Sequence, residues 1–144
     1  MSARRSIPLA LAWLCLAGCA DHDEDRAIER VLKDARRALL AGDGERACRL
    51  LTPDGRQRAR AFGSGSCEEV VHARRARARR ERESSWPDDL READFEVLSV
   101  SDGRASAELR VQDLLGTAIR WRIQLRRTSA GWRIDDSNAV PRGD

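Results

Sequence analysis

The sequence has few of the side chains that most often carry out proton-transfer chemistry. It contains no tyrosine, two histidines and two phenylalanines among 144 residues, and aromatic residues make up 4% of the chain. Imidazole and phenol groups are common general acids and bases, so their scarcity limits the catalytic sites that this chain can build. A proton-transfer site would have to rest on Asp or Glu.

Long hydrophobic runs are also missing. Charged residues make up 35% of the chain and the mean hydropathy is −0.60. The apolar segment Ile7–Leu16 is too short to span a bilayer comfortably. The composition therefore excludes a multi-pass membrane protein, whereas 41% hydrophobic residues are enough for a folded core. The length predicts one domain.

Residues 1–18 have the order of an export signal. Arg4 and Arg5 precede the apolar segment, and the small residues Ala17 and Gly18 follow it. A basic start, an apolar run and small residues before the cleavage point are typical of a secretory signal. The next segment is acidic and has no basic flank that would stop transfer, so we expect residues 1–18 to be removed.

The segment Leu16-Ala17-Gly18-Cys19 resembles the lipobox of bacterial lipoproteins. The resemblance implies cleavage before Cys19, a diacylglycerol on its sulfur, and extracytoplasmic anchoring to the cell membrane. Two acyl chains anchor a protein stably, whereas one binds only marginally. The alternative is an ordinary secretory signal in which Cys19 has no role.

Removal of the signal also changes the charge of the chain. It deletes Arg4 and Arg5 and no acidic residue, so the formal net charge falls from +3 to +1. An exported, nearly neutral chain is a poor candidate for binding nucleic acid, and we predict no such partner. Lys33 is the only lysine among 27 basic residues, which fits a GC-rich genome rather than a binding task.

Two of the four cysteines belong to the folded domain, because Cys15 is removed with the signal and Cys19 is predicted to carry the lipid. Cys48 and Cys67 most simply form a disulfide outside the cytoplasm. The loop that this bond closes contributes roughly 3 kcal/mol to stability. Two cysteines and His72 are too few ligands for a convincing zinc site, so we predict neither a metal nor a cofactor.

The domain is predicted to cover residues 26–140 and to begin with helices. Residues 19–25 are acidic and lack large apolar side chains, which predicts a solvated tether. Apolar residues then recur at helical spacing from Ala27 to Leu39, and Gly42 is a natural end. Later helices are predicted over residues 45–51, over 53–62 with Thr52 as cap, and from the capping box Ser66-Cys67-Glu68-Glu69.

The hydrophobic period changes from helical spacing to two in the second half of the chain. Phe95 and Val97 alternate with polar residues, Leu98 and Val100 do so on the opposite parity, and Ile119–Leu125 alternate without interruption. Asp102-Gly103 predicts a hairpin turn between the first two strands. This turn places Val100 opposite Ala105 and Leu98 opposite Ala107, and a bulge near Val97 brings Phe95 opposite Leu109. With a last strand over residues 132–136, we predict an α+β fold. Three to four N-terminal helices pack on one face of a curved, four-stranded antiparallel sheet.

The closing segment Gly131-Trp132-Arg133-Ile134-Asp135 resembles the end of the cone-shaped nuclear transport factor 2-like, or SnoaL-like, domains. The segments Ala47–Pro53 and Ser66–Glu69 are similar to those of small exported lipoproteins of high-GC, actinobacterial-type bacteria. The resemblance implies a cone-like fold and an envelope location rather than a particular activity.

The inward positions of the predicted sheet indicate binding rather than catalysis. Phe95, Leu109, Trp121, Ile123 and Trp132 are predicted to line a ligand pocket, although aromatics at this spacing are also common as plain core. Enzymes that the chain resembles place a carboxylate or histidine there, and these positions hold neither. We therefore predict a non-catalytic binding or interaction domain whose partner is a small apolar ligand or an envelope protein.

Two alternatives stay open. The first is an isomerase-like or cyclase-like enzyme that uses Asp113, in the turn before the third strand, as a base at the mouth of the pocket. The second is a helix over residues 74–82 that lies on anionic headgroups through its arginines. That helix lacks large apolar anchors, which favours a solvated surface instead.

Overall fold

The computed structural model of the protein describes residues 18–61, 63–80, 90–112 and 118–139. In this part of the chain, helices precede a four-stranded antiparallel sheet, which is the predicted α+β fold. The helices are α1 (Gly18–Ala41), α2 (Gly44–Arg49), α3 (Pro53–Ala61) and α4 (Cys67–Arg80). The strands are β1 (Asp94–Ser101), β2 (Arg104–Gln112), β3 (Ala118–Thr128) and β4 (Gly131–Ala139).

Helix α1 begins earlier than the hydrophobic pattern indicates. Residues 19–25, predicted to form a solvated tether, are helical. Acidic side chains are favourable in the first turns of a helix, and Glu24 also forms an ion pair with Arg127 on the sheet. None of the helices in the described ranges has both the length and the apolar character that a membrane span requires.

Side chains cap the shorter helices where the sequence predicts helix starts. The carboxylate of Asp43 accepts a hydrogen bond from the backbone N–H of Arg46 at 2.9 Å, at the start of α2. The predicted capping box opens α4, because Ser66 Oγ accepts from the N–H of Glu69 at 3.2 Å and Glu69 Oε2 accepts from the N–H of Ser66 at 2.6 Å.

The sheet is a meander in the order β1-β2-β3-β4. Asp102 and Gly103 form the predicted hairpin turn, both with positive φ. Val100 opposes Ala105 as predicted, but the extra residue of the bulge is Leu98, so Val97 rather than Leu98 opposes Ala107. Leu98 is consequently 41% exposed, and its predicted inward position is wrong.

Helix α1 packs on the apolar face of the sheet and forms the core. The fully buried cluster comprises Ile28, Leu32, Ala105, Ala107, Ile123, Leu125 and Trp132. Its sheet members come from three adjacent strands, and on β3 Ile123 and Leu125 alternate with exposed polar residues. Ala105 and Ala107 of β2 are buried in the same cluster as Ile28 and Leu32 of α1.

The segment between α2 and α3 attaches the helices to the edge strand β4. Leu51 forms a parallel bridge with Ile134. The N–H of Ile134 donates to the carbonyl of Leu50 at 2.8 Å, and the N–H of Thr52 donates to the carbonyl of Ile134 at 2.8 Å. These bonds satisfy backbone groups of β4 that the edge of a sheet would otherwise leave to solvent.

A buried polar contact reinforces this attachment. The Thr52 hydroxyl donates to Asp135 Oδ1 at 2.6 Å and accepts from the N–H of Gly55 at 3.0 Å, so that Thr52 also caps α3. Arg126 Nη2 lies 3.0 Å from Asp135 Oδ2, and Arg58 Nη1 lies 3.8 Å away. The Thr52 hydroxyl and the two guanidinium groups hold the pKa of Asp135 below its ordinary value.

The predicted disulfide between Cys48 and Cys67 is present and joins α2 to the start of α4. Both cysteines are buried. Gly44 lies against the same junction, and a side chain there would meet the backbone oxygen of Glu68 at 2.7 Å. The close contact of α2 with α4 therefore needs both the covalent bond and a residue without a side chain.

We expect Asp135→Asn to reduce the free energy of unfolding by about 1 to 3 kcal/mol near neutral pH, because a hydrogen bond to a charged group is replaced by a weaker one. Since the folded-state pKa of Asp135 is lowered, its contribution is complete above the unfolded pKa of about 4 and is lost as the pH falls through the folded pKa. Urea unfolding of both proteins across this pH range measures the difference.

Asp54→Asn is the matched control, because Asp54 pairs with the same Arg126 at 3.7 Å but is 60% exposed. We expect it to leave stability nearly unchanged at every pH. A wild-type advantage over Asp135→Asn that stays constant down to the lowest pH would contradict the role assigned to Asp135.

Candidate functional site

A cavity of about 400 Å³ lies between the helices and the sheet. Its walls are mainly aliphatic and aromatic, and its volume falls within the range of small-molecule sites. The helical side contributes Leu32, Ala35, Arg36, Leu39, Ala47, Leu51, Arg74 and Leu90. The sheet contributes Phe95, Leu109, Val111, Ile119, Trp121, Ile123, Ile134 and Ser137.

The residues of β2 that line the cavity are less completely buried than those that belong to the core cluster. Ala107 of β2 is 0% exposed beneath α1, whereas Leu109 and Val111 of the same strand are only half-buried. Trp121, which pairs with Leu109 across the strands, is 38% exposed beside the cavity.

Four of the five predicted pocket residues line this cavity. Phe95, Leu109, Trp121 and Ile123 belong to its wall, but Trp132 does not. Trp132 is 5% exposed and packs in the core cluster instead. The reason is its position: it lies at the hairpin end of β4, where α1 contacts the sheet, and its ring fills space that the small alanines of β2 leave.

The alternation of residues along the strands did not predict the polar groups of the cavity wall, because two of these groups come from helices. Arg36 on α1 and Arg74 on α4 line the cavity, and Ser137 does so from β4. Arg36 lies four residues after Leu32 and three before Leu39, so helical spacing places it on the inward stripe. That spacing is the signal by which the sequence could have identified it.

Arg36 is held in place by its neighbours. Its Nη1 donates to the carbonyl of Ala93 at 2.8 Å, and its guanidinium carbon lies 5.4 Å from the centre of the Phe95 ring. Stacking on an aromatic ring and a bond to a buried carbonyl fix the guanidinium beside the apolar wall. A guanidinium remains protonated at any ordinary pH, so it can bind an anion but cannot act as a base.

The arginines of the outer sheet face differ from Arg36 in that they form ion pairs with carboxylates on the same face. Glu108 is 4% exposed, accepts from Arg110 Nε at 2.9 Å and lies 4.0 Å from Arg122. Arg110 also contacts Glu96 on β1. The hydrogen bond from Arg110 lowers the pKa of Glu108 and keeps it ionised. The outer face thus contains mixed charge.

His72, which the sequence offers as a metal ligand, does not line the cavity. His72 is exposed on α4, and no group of three or more His, Cys, Asp or Glu side chains in the described ranges is placed to hold a metal ion. Asp113 lies outside the described residues, as does the side chain of Cys19. The helix over residues 74–82 is described only as far as Arg80.

Comparisons with known proteins identify the fold. The chain superposes on a protein of the NTF2-like family from Streptomyces avermitilis, for which a dehydratase activity has been suggested. The TM-score is 0.50 with 17% identity over 87% of this chain and 99% of that one. The chain has an NTF2-like fold. An NTF2-like protein with a cystatin-like fold from Novosphingobium aromaticivorans gives a TM-score of 0.49 with 16% identity, covering 87% of this chain and 86% of the other. No protein-family model and no curated protein matches the sequence.

The different surroundings of the two sheet tryptophans lead to a prediction about stability. We expect Trp132→Ala to lower the free energy of unfolding by about 3 to 5 kcal/mol, because it leaves a hole in a packed core. Trp121→Ala removes a partly exposed side chain from the cavity wall and should cost about 1 kcal/mol or less. Chemical unfolding of both variants measures the two values, and equal losses would contradict the assignment of Trp132 to the core and Trp121 to the cavity.

Proposed function

We propose that this protein is an exported lipoprotein of a high-GC bacterium whose NTF2-like domain binds a small apolar ligand at the outer side of the membrane. The diacylglycerol on Cys19 is its membrane anchor, and the cavity between α1 and the sheet is its binding site. The domain binds without catalysing a reaction.

Two observations support export and anchoring. The basic, apolar and small-residue order of residues 1–18 leads directly to Leu16-Ala17-Gly18-Cys19, the segment that resembles a lipobox. The disulfide between Cys48 and Cys67 is typical of proteins in oxidising compartments outside the cytoplasm.

The cavity carries the proposal of ligand binding. Its volume of about 400 Å³ is larger than a packing defect, and aliphatic and aromatic side chains supply most of its wall. Its polar groups in the described ranges are two guanidiniums and one hydroxyl, from Arg36, Arg74 and Ser137. These groups orient a ligand, and the guanidiniums do not transfer protons, which favours binding over acid–base catalysis.

The first test concerns the anchor. Cells that express the full chain and are fed a labelled fatty acid should incorporate the label into the wild-type protein but not into Cys19→Ser, because the hydroxyl does not form the thioether. Cys15→Ser should stay labelled, since Cys15 lies within the removed signal. Label in Cys19→Ser, or a wild-type protein whose mass includes residues 1–18, would refute the anchor.

The second test concerns the cavity. The neutral fluorophore N-phenyl-1-naphthylamine should bind to the full chain carrying Cys19→Ala with a large rise in fluorescence. Leu109→Trp should abolish this binding, because the larger ring occupies the cavity. Leu98→Trp is the matched control, since Leu98 also lies in the sheet but is 41% exposed at the bulge.

Binding of the fluorophore to wild type and to Leu98→Trp but not to Leu109→Trp supports the proposed site. No binding to wild type would refute it and would favour an envelope protein as the partner. Equal binding to Leu109→Trp would also refute it, because the fluorophore would then occupy another part of the chain.

A further inference from the structure

We infer that the ligand of this cavity is an anionic amphiphile, a single apolar chain that ends in a carboxylate, and that Arg36 binds the carboxylate. The inference rests on the proposed function, because it names the chemical class that the same cavity accepts. Its basis is the placement of a fixed guanidinium in an otherwise apolar wall.

In the described contacts, Arg36 has N–H donors that could bind a ligand. A guanidinium carries five N–H donors, and the described contacts of Arg36 use one of them, on the neutral carbonyl of Ala93. No carboxylate in the described ranges forms an ion pair with Arg36. Its charge is thus offset by a carbonyl dipole and by the face of the Phe95 ring alone. Both contacts orient the group without neutralising it.

The charge of the wall favours an anion. Two of the described residues that line the cavity are arginines, Arg36 and Arg74, and none is Asp or Glu. This composition differs from the outer sheet face, where Glu96 and Glu108 lie among the arginines. A positive charge beside apolar surface attracts an anion more strongly than the same charge in bulk water, because the local dielectric is lower.

The apolar part of the wall indicates that the part of the ligand beyond its carboxylate is a hydrocarbon chain. Leu32, Leu39, Leu109, Val111 and Ile119 line the space that Arg36 borders. A small inorganic anion at Arg36 would leave this surface in contact with water, whereas a hydrocarbon chain would cover it at about 25 cal/mol per Å². A wall with a cationic group and a broad apolar surface therefore fits a molecule with an anionic end and a hydrocarbon body.

Decanoate and 1-decanol provide the test, because they share the chain and differ in the charged group. Each is titrated against the full chain carrying Cys19→Ala and loaded with N-phenyl-1-naphthylamine, at about pH 8, where the carboxylate is ionised. We expect decanoate to displace the fluorophore at least about tenfold more effectively than 1-decanol, since a hydrogen bond to a charged group contributes on that order.

Arg36→Met keeps an unbranched apolar stem and removes the charge. We expect this variant to bind decanoate no better than it binds 1-decanol. Arg30→Met is the matched control, because Arg30 lies on the same helix, is exposed, and is not among the residues of the wall. It should retain the wild-type preference.

The outcomes separate the two levels of the proposal. Displacement by 1-decanol and decanoate alike in the wild type would overturn the anionic ligand and leave the apolar site intact, whereas displacement by neither would overturn the apolar site itself. A preference for decanoate that persists in Arg36→Met would overturn the role of Arg36.

If Arg36→Met no longer binds 1-decanol, Arg36→Gln is used to test the role of the charge. The amide of Gln keeps an uncharged donor for the carbonyl of Ala93. Loss of the decanoate preference in Arg36→Gln supports the inference, and its retention overturns it.

Discussion

The structure depends on one constraint, which is that a sheet with a single apolar face must be covered from that side. Ile123 and Leu125 alternate with exposed residues along β3, and each such side chain gains roughly 1.5 to 3 kcal/mol when it leaves water. Helix α1 supplies the cover through Ile28 and Leu32. Leu32 of α1 and Ile123 of β3 belong both to the core cluster and to the wall of the cavity, so the core and the cavity share one interface between helix and sheet.

The remaining helices keep that cover in place. The disulfide fixes α2 to α4, and the Leu50–Thr52 segment joins the helices to β4 through backbone bonds and the contact of Thr52 with Asp135. The cavity is enclosed by residues from each of these parts, including Ala47 of α2, Arg74 of α4 and Ile134 of β4. Its shape is therefore set by contacts between segments that are far apart in sequence.

Local patterns in the sequence predicted the elements well, because caps, turns and periodicity act over a few residues. The capping box at Ser66, the turn at Asp102-Gly103 and the alternation of β3 are of this kind. The features that sequence reasoning misplaced depend on distant neighbours. The bulge residue is Leu98 because packing under α1 selects Val97. Trp132 belongs to the core because it packs with Ile28 and Leu32 of α1, which are distant in sequence. Thr52 caps α3 as predicted, but its contact with Asp135, 83 residues away, was not predicted.

The bulge at Leu98 has a consequence for association between molecules. Strand β1 lies at one edge of the described sheet, and a regular edge is a template on which the strand of another molecule can form hydrogen bonds. The extra residue interrupts the repeat of N–H and carbonyl groups along β1, and Asp94 and Glu96 add negative charge beside it. At the opposite edge, Leu51 already pairs with Ile134 of β4. Both edges of the sheet are thus poor starting points for fibrillar aggregation.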